Sequence, residues 1–247
     1  MNRVTVTDLS KQFKIGFHKN QSALGRFTSL FSGIEPKKII WALKDVTFSV
    51  KEGEIFAVIG NNGSGKSTLL RIIAGIYDKQ GGEVQISGKI VSLMNLTAGL
   101  REKMRVRENI QLCGTLFGLS NRLIKERFDS IVAFAELEDF LNTKIYQFSD
   151  GMKERLAFSL AIHCDADILL LDEVFGVGDQ DFRIKSVKKM YDLIKQRKTI
   201  LLVSHNLDLV EEYCHRAIVL ERGKIVASGN ARAVVDRYRH HNYDIKQ

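Results

Sequence analysis

Residues 60–68 read Gly-Asn-Asn-Gly-Ser-Gly-Lys-Ser-Thr, and they decide how the rest of the chain is interpreted. The apolar run Ile55–Ile59 precedes them, and residues 66–73 have helical character. This order of strand, glycine-rich loop and helix matches the P-loop pattern. In it, glycines let backbone N–H groups surround a phosphate, and the helix directs its positive end at the anion. The stretch therefore predicts a P-loop that binds a nucleoside triphosphate.

The polar positions of this loop have expected roles. Lys66 should reach the β- and γ-phosphates, and the Ser67 hydroxyl should bind Mg²⁺. A glycine-rich turn without a ligand is the alternative, but it would require neither the strand before the loop nor the helix after it. The expected nucleotide contacts are Gly60, Asn61, Asn62, Gly63, Ser64, Gly65, Lys66, Ser67 and Thr68.

The composition is typical of a soluble globular protein. Of the 247 residues, 45% are hydrophobic and 27% are charged, which fits one large domain or a core with a subdomain. No apolar stretch approaches the length of a membrane span, and the first residues do not resemble a signal peptide. Cys113, Cys164 and Cys214 lie far apart without metal-ligand spacing, so we expect buried or half-buried thiols in a reducing, cytoplasmic compartment.

The formal net charge of +8 limits which kinds of binding partner the chain is expected to have. Acidic lipid headgroups, nucleic acid and plain solubility all fit such an excess. The sequence shows no interleaving of aromatic and basic residues of the kind found in nucleic-acid-binding modules, so we expect no nucleic-acid partner. A surface that faces a membrane and an ordinary solvated surface are both consistent with the charge.

The pattern of apolar residues predicts an α/β fold. Alternation over residues 4–6 and 46–50 indicates strands in the first part of the chain. Ser120 and Ser149 are each expected to cap a helix with an apolar face, so the middle of the chain is helical. In the last third, strands alternate with helices, and residues 217–227 suit a hairpin. This order predicts a mainly parallel sheet with helices on both faces.

Two acidic residues close a second buried strand, which runs through Ile168–Leu171. Asp172 at the end of that strand suits Mg²⁺, and Glu173, which points differently, can polarise an attacking water. His205 follows the next apolar strand, at the edge where open α/β sheets bind ligands, and there it can hydrogen-bond the γ-phosphate. His205 alone would be interpreted as an ordinary surface histidine. The predicted neighbours Asp172 and Glu173 instead favour a role in the nucleotide site.

Residues 148–156 read Phe-Ser-Asp-Gly-Met-Lys-Glu-Arg-Leu and resemble the signature loop and helix of ABC-type ATPases. They precede the strand that ends at Asp172, which resembles the Walker B strand of that family, while residues 60–68 resemble its Walker A. Asp179 resembles the D-loop residue, and His205 resembles the switch histidine. The resemblance covers nearly the whole chain, and this combination of motifs is specific to the family.

The resemblance implies a P-loop NTPase of the ABC ATPase fold, with ATP and Mg²⁺ as ligands. Residues 1–94 and 162–247 would form the core with an antiparallel β subdomain, and residues 95–161 would form a helical subdomain. In the family, the signature residues Ser149 and Gly151 of one subunit close over ATP bound to the opposite subunit. The chain would therefore act as a homodimer with two shared sites.

The sequence departs from the family pattern at several positions. Asp150 stands where the family usually has glycine, and Met152 replaces the usual glutamine. The Q-loop glutamine, a Mg²⁺ ligand that faces the permease, is missing, and Asn95 is the nearest candidate. The aromatic ring that stacks on adenine is expected to be Phe13, with Trp41 as its rival; either ring could belong to the core instead.

The sequence around these motifs narrows the resemblance to one branch. Residues 173–179 lack a proline-led turn, and together with residues 155–159 and 204–220 they resemble the ATPase subunits of bacterial exporters for O-antigen, capsule and teichoic acid. That resemblance implies an integral membrane permease and a lipid-linked glycan as partners, at the cytoplasmic face of the cell membrane. Because the chain stops at Gln247, it resembles the short form without a carbohydrate-binding domain.

The sequence also bears on functions other than polysaccharide export. The ATPase subunit of an ABC transporter for another substrate would carry the same motifs, so only the subfamily resemblance separates it from a polysaccharide exporter. Non-transport ABC ATPases usually carry two fused cassettes or a long coiled-coil insertion, neither of which is present in the sequence. A small-molecule kinase would not explain residues 148–156 or the order of Asp179 and His205.

Residues 15–38 read as an insertion into the first pair of strands. Leu24, Phe27, Leu30 and Phe31 fall on one helical face with basic residues nearby. Such a segment could contact a membrane surface or a lipid-linked sugar, or its apolar face could pack on the domain's own sheet.

Overall fold

The computed structural model describes residues 1–15, 38–94, 96–172, 179–196 and 198–244. The strands are β1 (Asn2–Ile15), β2 (Lys38–Lys51), β3 (Ile55–Ile59), β4 (Gly81–Ile86), β5 (Ile90–Ser92), β6 (Ile168–Asp172), β7 (Thr199–Val203), β8 (Arg216–Glu221) and β9 (Lys224–Asn230). The helices are α1 (Lys66–Ile73), α2 (Val106–Leu116), α3 (Asn121–Ala135), α4 (Asp150–Ile162), α5 (Gln180–Lys195), α6 (Leu207–Tyr213) and α7 (Ala231–Asp244). Short 3₁₀ turns occupy Leu96–Gly99, Glu138–Phe140 and Ile145–Gln147. No helix in these ranges combines the length and the apolar character that crossing a membrane requires.

The strands form two sheets. The larger sheet has the order β5-β6-β7-β3-β8-β9, and its first five strands run parallel while β9 pairs antiparallel with β8. The smaller sheet has the order β2-β1-β4 and is antiparallel. This confirms the predicted fold class, a mainly parallel core sheet with an antiparallel β subdomain and helices.

The central strands of the larger sheet are buried on both faces. Successive side chains of a strand point to opposite faces. Leu169 and Leu171 of β6 pack in the apolar cluster that includes α2, α3 and α4. Ile168 and Leu170 pack on the other side, with α1 and the antiparallel sheet. Burial on both faces explains why β3, β6 and β7 read as continuous apolar runs in the sequence.

Helices α2 and α3 lie within residues 95–161, the predicted helical subdomain, and α4 extends one residue beyond it to Ile162. The predicted cap is present, because the Ser120 Oγ accepts a hydrogen bond from the Leu123 amide at 3.3 Å. The Ser159 hydroxyl of α4 donates to the Ile131 carbonyl of α3 at 2.7 Å. Residues 156–162 of α4 are buried, so its second half anchors the helix while its first turn reaches the surface.

Strands β1 and β2 pair from Asn2 opposite Lys51 to Ile15 opposite Lys38, with several bulges between. The predicted insertion lies between these two strands. Residues 16–37 of it fall outside the described part of the chain.

Candidate nucleotide-binding site

The P-loop joins β3 to α1 and is shaped by three glycines. Gly60, Gly63 and Gly65 have φ angles of 144°, 77° and 109°, which residues with side chains rarely adopt. A methyl group on Gly65 would lie 2.3 Å from the Ala42 carbonyl oxygen, and one on Gly60 would lie 2.2 Å from that of Leu220. The loop is therefore held closely between β2 and β8, and only glycine fits at these two positions.

Lys66 is buried at the start of α1, with 6% of the residue exposed. Its Nζ donates to the carbonyls of Gly60 at 2.9 Å and Asn61 at 3.1 Å. A buried ammonium group is costly unless its donors are satisfied, so these bonds stabilise the cation inside the loop. Its positive charge is held against the loop backbone, where a phosphate would meet it.

The N-terminus of α1 fits an anion. Gly65 precedes the helix, no side chain of the described residues caps it, and its first turn contains no acidic residue. The first N–H groups of a helix lack partners within the helix and carry the positive end of its dipole. Ser67 and Thr68 lie half-buried in this first turn. The loop and the helix end together therefore fit the phosphates of a nucleotide.

The strand register places Asp172 at the same level as the P-loop strand. Asp172 of β6 pairs with Val203 of β7, and Val203 pairs with Val58 of β3. Neighbouring strands lie about 4.8 Å apart, so Asp172 is separated from Val58 by about 10 Å across the sheet. Gly60 follows Val58 by two residues. Asp172 and the helix turn that carries Ser67 thus border the same edge of the sheet.

The other two residues predicted near Mg²⁺ and the water, Asn95 and Glu173, lie outside the described residues. Across the described ranges, His, Cys, Asp and Glu do not gather in groups of three that could hold a metal ion. The Mg²⁺ expected here would depend on the Ser67 hydroxyl, the Asp172 carboxylate and phosphate oxygens of the nucleotide. Such oxygen ligands are those that Mg²⁺ prefers.

His205 directly follows β7, which lies between β3 and β6 in the sheet. The buried Ser204 accepts a hydrogen bond from the Asn206 amide at 3.0 Å through its Oγ. The Asn206 side chain in turn caps α6 by accepting from the Leu209 amide at 3.1 Å. These bonds fix the turn around the exposed His205, which therefore emerges between the P-loop strand and Asp172.

The signature segment forms the start of α4. Ser149 is exposed, and its Oγ accepts a hydrogen bond from the Met152 amide at 3.3 Å, which confirms the predicted cap. The Asp150 side chain is 97% exposed and lies 3.9 Å from the Lys153 Nζ. Gly151 is half-buried in the first turn. This helix end, with its serine and its backbone amides, faces solvent and can receive a second anion.

Asp179 connects the start of α5 to the signature helix. Its Oδ1 accepts from the Phe182 amide at 3.0 Å, and its Oδ2 lies 3.7 Å from the Arg155 Nη1. Arg155 also pairs with Glu136 at 3.1 Å, and Lys185 of α5 pairs with the same carboxylate at 2.9 Å. A chain of ion pairs therefore joins the predicted D-loop residue to the predicted signature helix within one molecule.

The two candidate rings for adenine stacking have different surroundings. Phe13 is half-buried and meets the Tyr77 ring edge-on, with 5.8 Å between centroids. Trp41 is 47% exposed and directly precedes Ala42, whose carbonyl lies against Gly65. Trp41 is thus adjacent in the chain to a residue that touches the P-loop, whereas Phe13 packs on another ring.

One of the contacts with the P-loop that the sequence did not predict comes from the last helix. The Tyr238 hydroxyl of α7 donates to the Asn61 Oδ1 at 2.8 Å. The apolar residues of α7 follow helical spacing, which could have predicted a helix with Tyr238 on its apolar face. They are Ala231, Val234 and Val235. The contact itself joins residues 177 positions apart, so no local pattern reveals it.

Burial shifts the pKa of the thiols and of one histidine. It raises the pKa of Cys164 and of Cys214 to about 12, because desolvation disfavours the thiolate. Burial also raises the pKa of Cys113 and lowers the pKa of His163. All three cysteines are free and are buried or half-buried, as the sequence predicted.

Comparison with known proteins identifies the family of the chain. Residues 43–176 match the family model described as ABC transporter. The chain is 36% identical to the O-antigen export system ATP-binding protein RfbB of Myxococcus xanthus, over 97% of this chain and 56% of that protein. It is 41% identical to the teichoic acids export ATP-binding protein TagH of Lactococcus lactis, over 84% of this chain and 44% of that protein. The chain thus spans about half the length of these curated relatives.

Solved structures share the fold. The dimeric ATP-binding cassette MJ0796, in a post-hydrolysis state bound to ADP and Pi, matches with a TM-score of 0.71 and 25% identity. The match covers 93% of this chain and 99% of the other. Taken with the family match over residues 43–176, it shows that this chain belongs to the ABC transporter family and carries the ATPase domain of that family.

Proposed function

We propose that this chain binds and hydrolyses ATP to power an ABC transporter that exports a lipid-linked polysaccharide. The observation that carries the proposal is the P-loop, where a glycine-shaped backbone, the buried Lys66 and an uncapped helix end lie at the same sheet edge as Asp172. The relatives named for O-antigen and teichoic acid export support the substrate class.

The phosphates are bound by residues 60–68, with Lys66 directed at the β- and γ-phosphates. Ser67 and Asp172 would hold Mg²⁺, and we assign Asn95 to the same ion in place of the missing glutamine. When bound, Mg²⁺ neutralises charge that develops on the phosphate oxygens. The role of Lys66 in phosphate binding is supported by its buried position, where its ammonium group is bonded to the loop backbone.

Glu173 is assigned as the residue that orients the attacking water and accepts its proton, and His205 as the hydrogen-bond partner of the γ-phosphate. Replacing Glu173 by Gln should preserve ATP binding and trap an ATP-bound dimer. Size-exclusion chromatography with ATP and Mg²⁺ measures the dimer, and phosphate release measures turnover. Turnover in Glu173→Gln at the wild-type rate would contradict the role of Glu173.

We assign the adenine platform to Trp41 in preference to Phe13. Trp41 is the single tryptophan of the chain, so its fluorescence reports on this position alone. ATP should quench that fluorescence, and Trp41→Ala should weaken ATP binding about tenfold, since base–aromatic stacking contributes about 1–3 kcal/mol. If ATP left the fluorescence unchanged and Phe13→Ala weakened ATP binding, Phe13 would be the ring that stacks on adenine.

Hydrolysis is proposed to require a homodimer. The Ser149 hydroxyl and the Gly151 amide lie at an exposed helix end, which one copy could present to ATP bound in the other copy. Asp179 would lie at the same junction, because it contacts the signature helix through Arg155. The dimeric state of the MJ0796 cassette supports this arrangement. Closure over two ATP molecules and reopening after hydrolysis would drive transport.

The partners are proposed to be an integral membrane permease and a lipid-linked glycan, at the cytoplasmic face of the membrane. The helical subdomain, about residues 95–161, would transmit dimer closure to the permease. Co-purification with a permease, followed by ATPase assays with candidate lipid-linked glycans, tests this proposal. Stimulation by a small solute rather than by any glycan would favour a transporter for another substrate.

The insertion is proposed to control access of the glycan. Its apolar and basic residues support contact with lipid headgroups or with a lipid-linked sugar. Deleting residues 22–32 should abolish export while sparing nucleotide binding. Unchanged export after the deletion would contradict this role.

A further inference from the structure

The last helix of the described chain reaches the nucleotide site from outside the motifs discussed so far. The Tyr238 hydroxyl of α7 donates to the Asn61 side chain in the first turn of the P-loop, at 2.8 Å. We propose that Tyr238 is a positioning residue, which holds Asn61 and thereby the P-loop in the shape that binds nucleotide. This inference rests on the proposed function of the loop.

Asn61 is the point at which three hydrogen bonds meet. Its carbonyl accepts from the Lys66 Nζ at 3.1 Å and from the Ser64 amide at 3.2 Å. Its side chain accepts from Tyr238. The first two bonds shape the loop around the lysine, and the third ties that turn to a distant helix. A shift of Asn61 would therefore move a carbonyl that positions both Lys66 and the turn.

Helix α7 is a rigid support for this bond. Its residues Val234 and Val235 are buried in an apolar cluster with Ala57 and Ile59 of β3. Strand β3 leads directly into the P-loop. The Tyr238 hydroxyl is therefore held relative to the strand that positions the loop, so the bond to Asn61 adds a second point of attachment.

A second set of contacts joins α7 to α6, the helix that follows His205. Arg239 pairs with Asp208 at 2.5 Å and with Glu211 at 2.9 Å, both on α6. Asp208 lies in the first turn of α6, three residues after His205. Helix α7 thus bridges the P-loop and the helix that follows His205. The ion pairs of Arg239 end on α6, whereas the Tyr238 bond ends on the P-loop itself, so the larger effect on nucleotide binding is expected at Tyr238.

Tyr238→Phe removes the hydroxyl and keeps the ring. The Kd for a fluorescent ATP analogue should rise about three- to tenfold, because one hydrogen bond that preorganises the loop is lost. The kcat at saturating ATP should stay within about twofold of the wild type, since Tyr238 acts on the shape of the free loop. Arg237→Gln, at an exposed neighbouring position on the same helix, is the matched control and should leave the Kd unchanged.

A double-mutant cycle shows whether Tyr238 acts through Asn61. In an Asn61→Ala background, Tyr238→Phe should cause no further rise in Kd, because the acceptor is already absent. An unchanged Kd in Tyr238→Phe alone, or an equal rise in the Asn61→Ala background, would overturn the inference while leaving the proposed function intact. A wild-type chain that binds no ATP analogue would overturn the proposed function itself, and the inference with it.

Discussion

The P-loop half and the signature half of the molecule both present the N-terminus of a helix, but they do so in opposite ways. In the P-loop half, Lys66 is 6% exposed, and among the described residues no side chain caps α1. In the signature half, the Asp150 side chain is 97% exposed, and Ser149 caps α4. The end of α1 is thus open to an anion, whereas the Ser149 hydroxyl already accepts one amide at the end of α4.

The two halves also differ in what holds them in place. The P-loop lies against backbone carbonyls of Ala42 and Leu220, which cannot move without moving their strands. The first turns of α4 are instead held by ion pairs of Arg155 and Lys153, whose carboxylate partners are largely exposed. Ion pairs at the surface rearrange at little cost. The comparison suggests a fixed phosphate site and an adjustable signature site.

The largest effect is expected from filling the space at Gly65. Gly65→Ala places a methyl group 2.3 Å from the Ala42 carbonyl at a φ of 109°, and we expect ATP affinity to fall about 100-fold or more. Gly63→Ala is the matched control, because its φ is 77° but nothing lies within 4 Å of the added methyl group. That variant should carry only backbone strain of about 1–2 kcal/mol. Equal losses in calorimetric ATP titrations would show that the P-loop half is not fixed by this contact.

A smaller effect, confined to turnover, is expected from Ser149. Ser149→Ala and Ser120→Ala each remove a cap with the same 3.3 Å geometry, so each should cost about 1 kcal/mol of stability. Only Ser149→Ala should lower ATP turnover, by about tenfold or more, because only Ser149 would meet the γ-phosphate of the opposite subunit. Affinity of the monomer for ATP should not change. Equal turnover in the two variants would show that the signature half takes no part in ATP hydrolysis.

A stability effect of moderate size is expected from Arg155. Its side chain is 17% exposed and links the largely exposed carboxylates of Glu136 and Asp179, so Arg155→Leu should lower the free energy of unfolding by about 1 kcal/mol. Arg122→Leu, at an exposed position on α3, is the control and should change it by less than about 0.5 kcal/mol. Urea unfolding measures both. A neutral Arg155→Leu would mean that packing alone holds the signature half.

The smallest effect concerns the reactivity of buried thiols. Because burial raises the pKa of Cys164 and Cys214 to about 12, both should stay protonated and react slowly with thiol reagents at pH 8. The unfolded chain ionises its thiols near pH 9, so the stabilisation from these groups is lost as pH rises from about 9 toward 12. Cys164 is buried just after α4, whereas Cys214 is half-buried, so Cys164 should react before Cys214 only if the signature half opens more readily. Single cysteine replacements assign the rates, and the reverse order would contradict the comparison.

Local chemistry made much of the fold predictable. Strands β3, β6 and β7 are continuous apolar runs, and the caps at Ser120 and Ser149 are visible as serines before helical periodicity. The position of Asp172 could be expected for the same reason, since a carboxylate that ends a buried parallel strand must lie at one edge of the sheet. These features depend on residues close together in the chain.

Contacts between distant residues could not be predicted in this way. The Ala42 carbonyl that restricts Gly65, the Tyr238 hydroxyl on Asn61 and the Glu136 carboxylate on Arg155 all depend on how separate elements pack. Residue propensity and spacing describe one helix or strand at a time. They can indicate which side chains are functional, but not which residues of other elements those side chains contact. The sequence favoured Phe13 over Trp41 as the adenine platform, because the surroundings that favour Trp41 depend on packing between separate elements.

The pairing of β1 and β2 has a consequence for engineering. Because Ile15 and Lys38 still face each other at the end of the ladder, the chain leaves and rejoins the sheet at neighbouring points. Any sequence whose ends meet at that separation, even a tight turn, can be grafted there without a change in strand register. Residues 16–37 are thus a natural position for transplanting loops between relatives without a change in the strand pairing beside them.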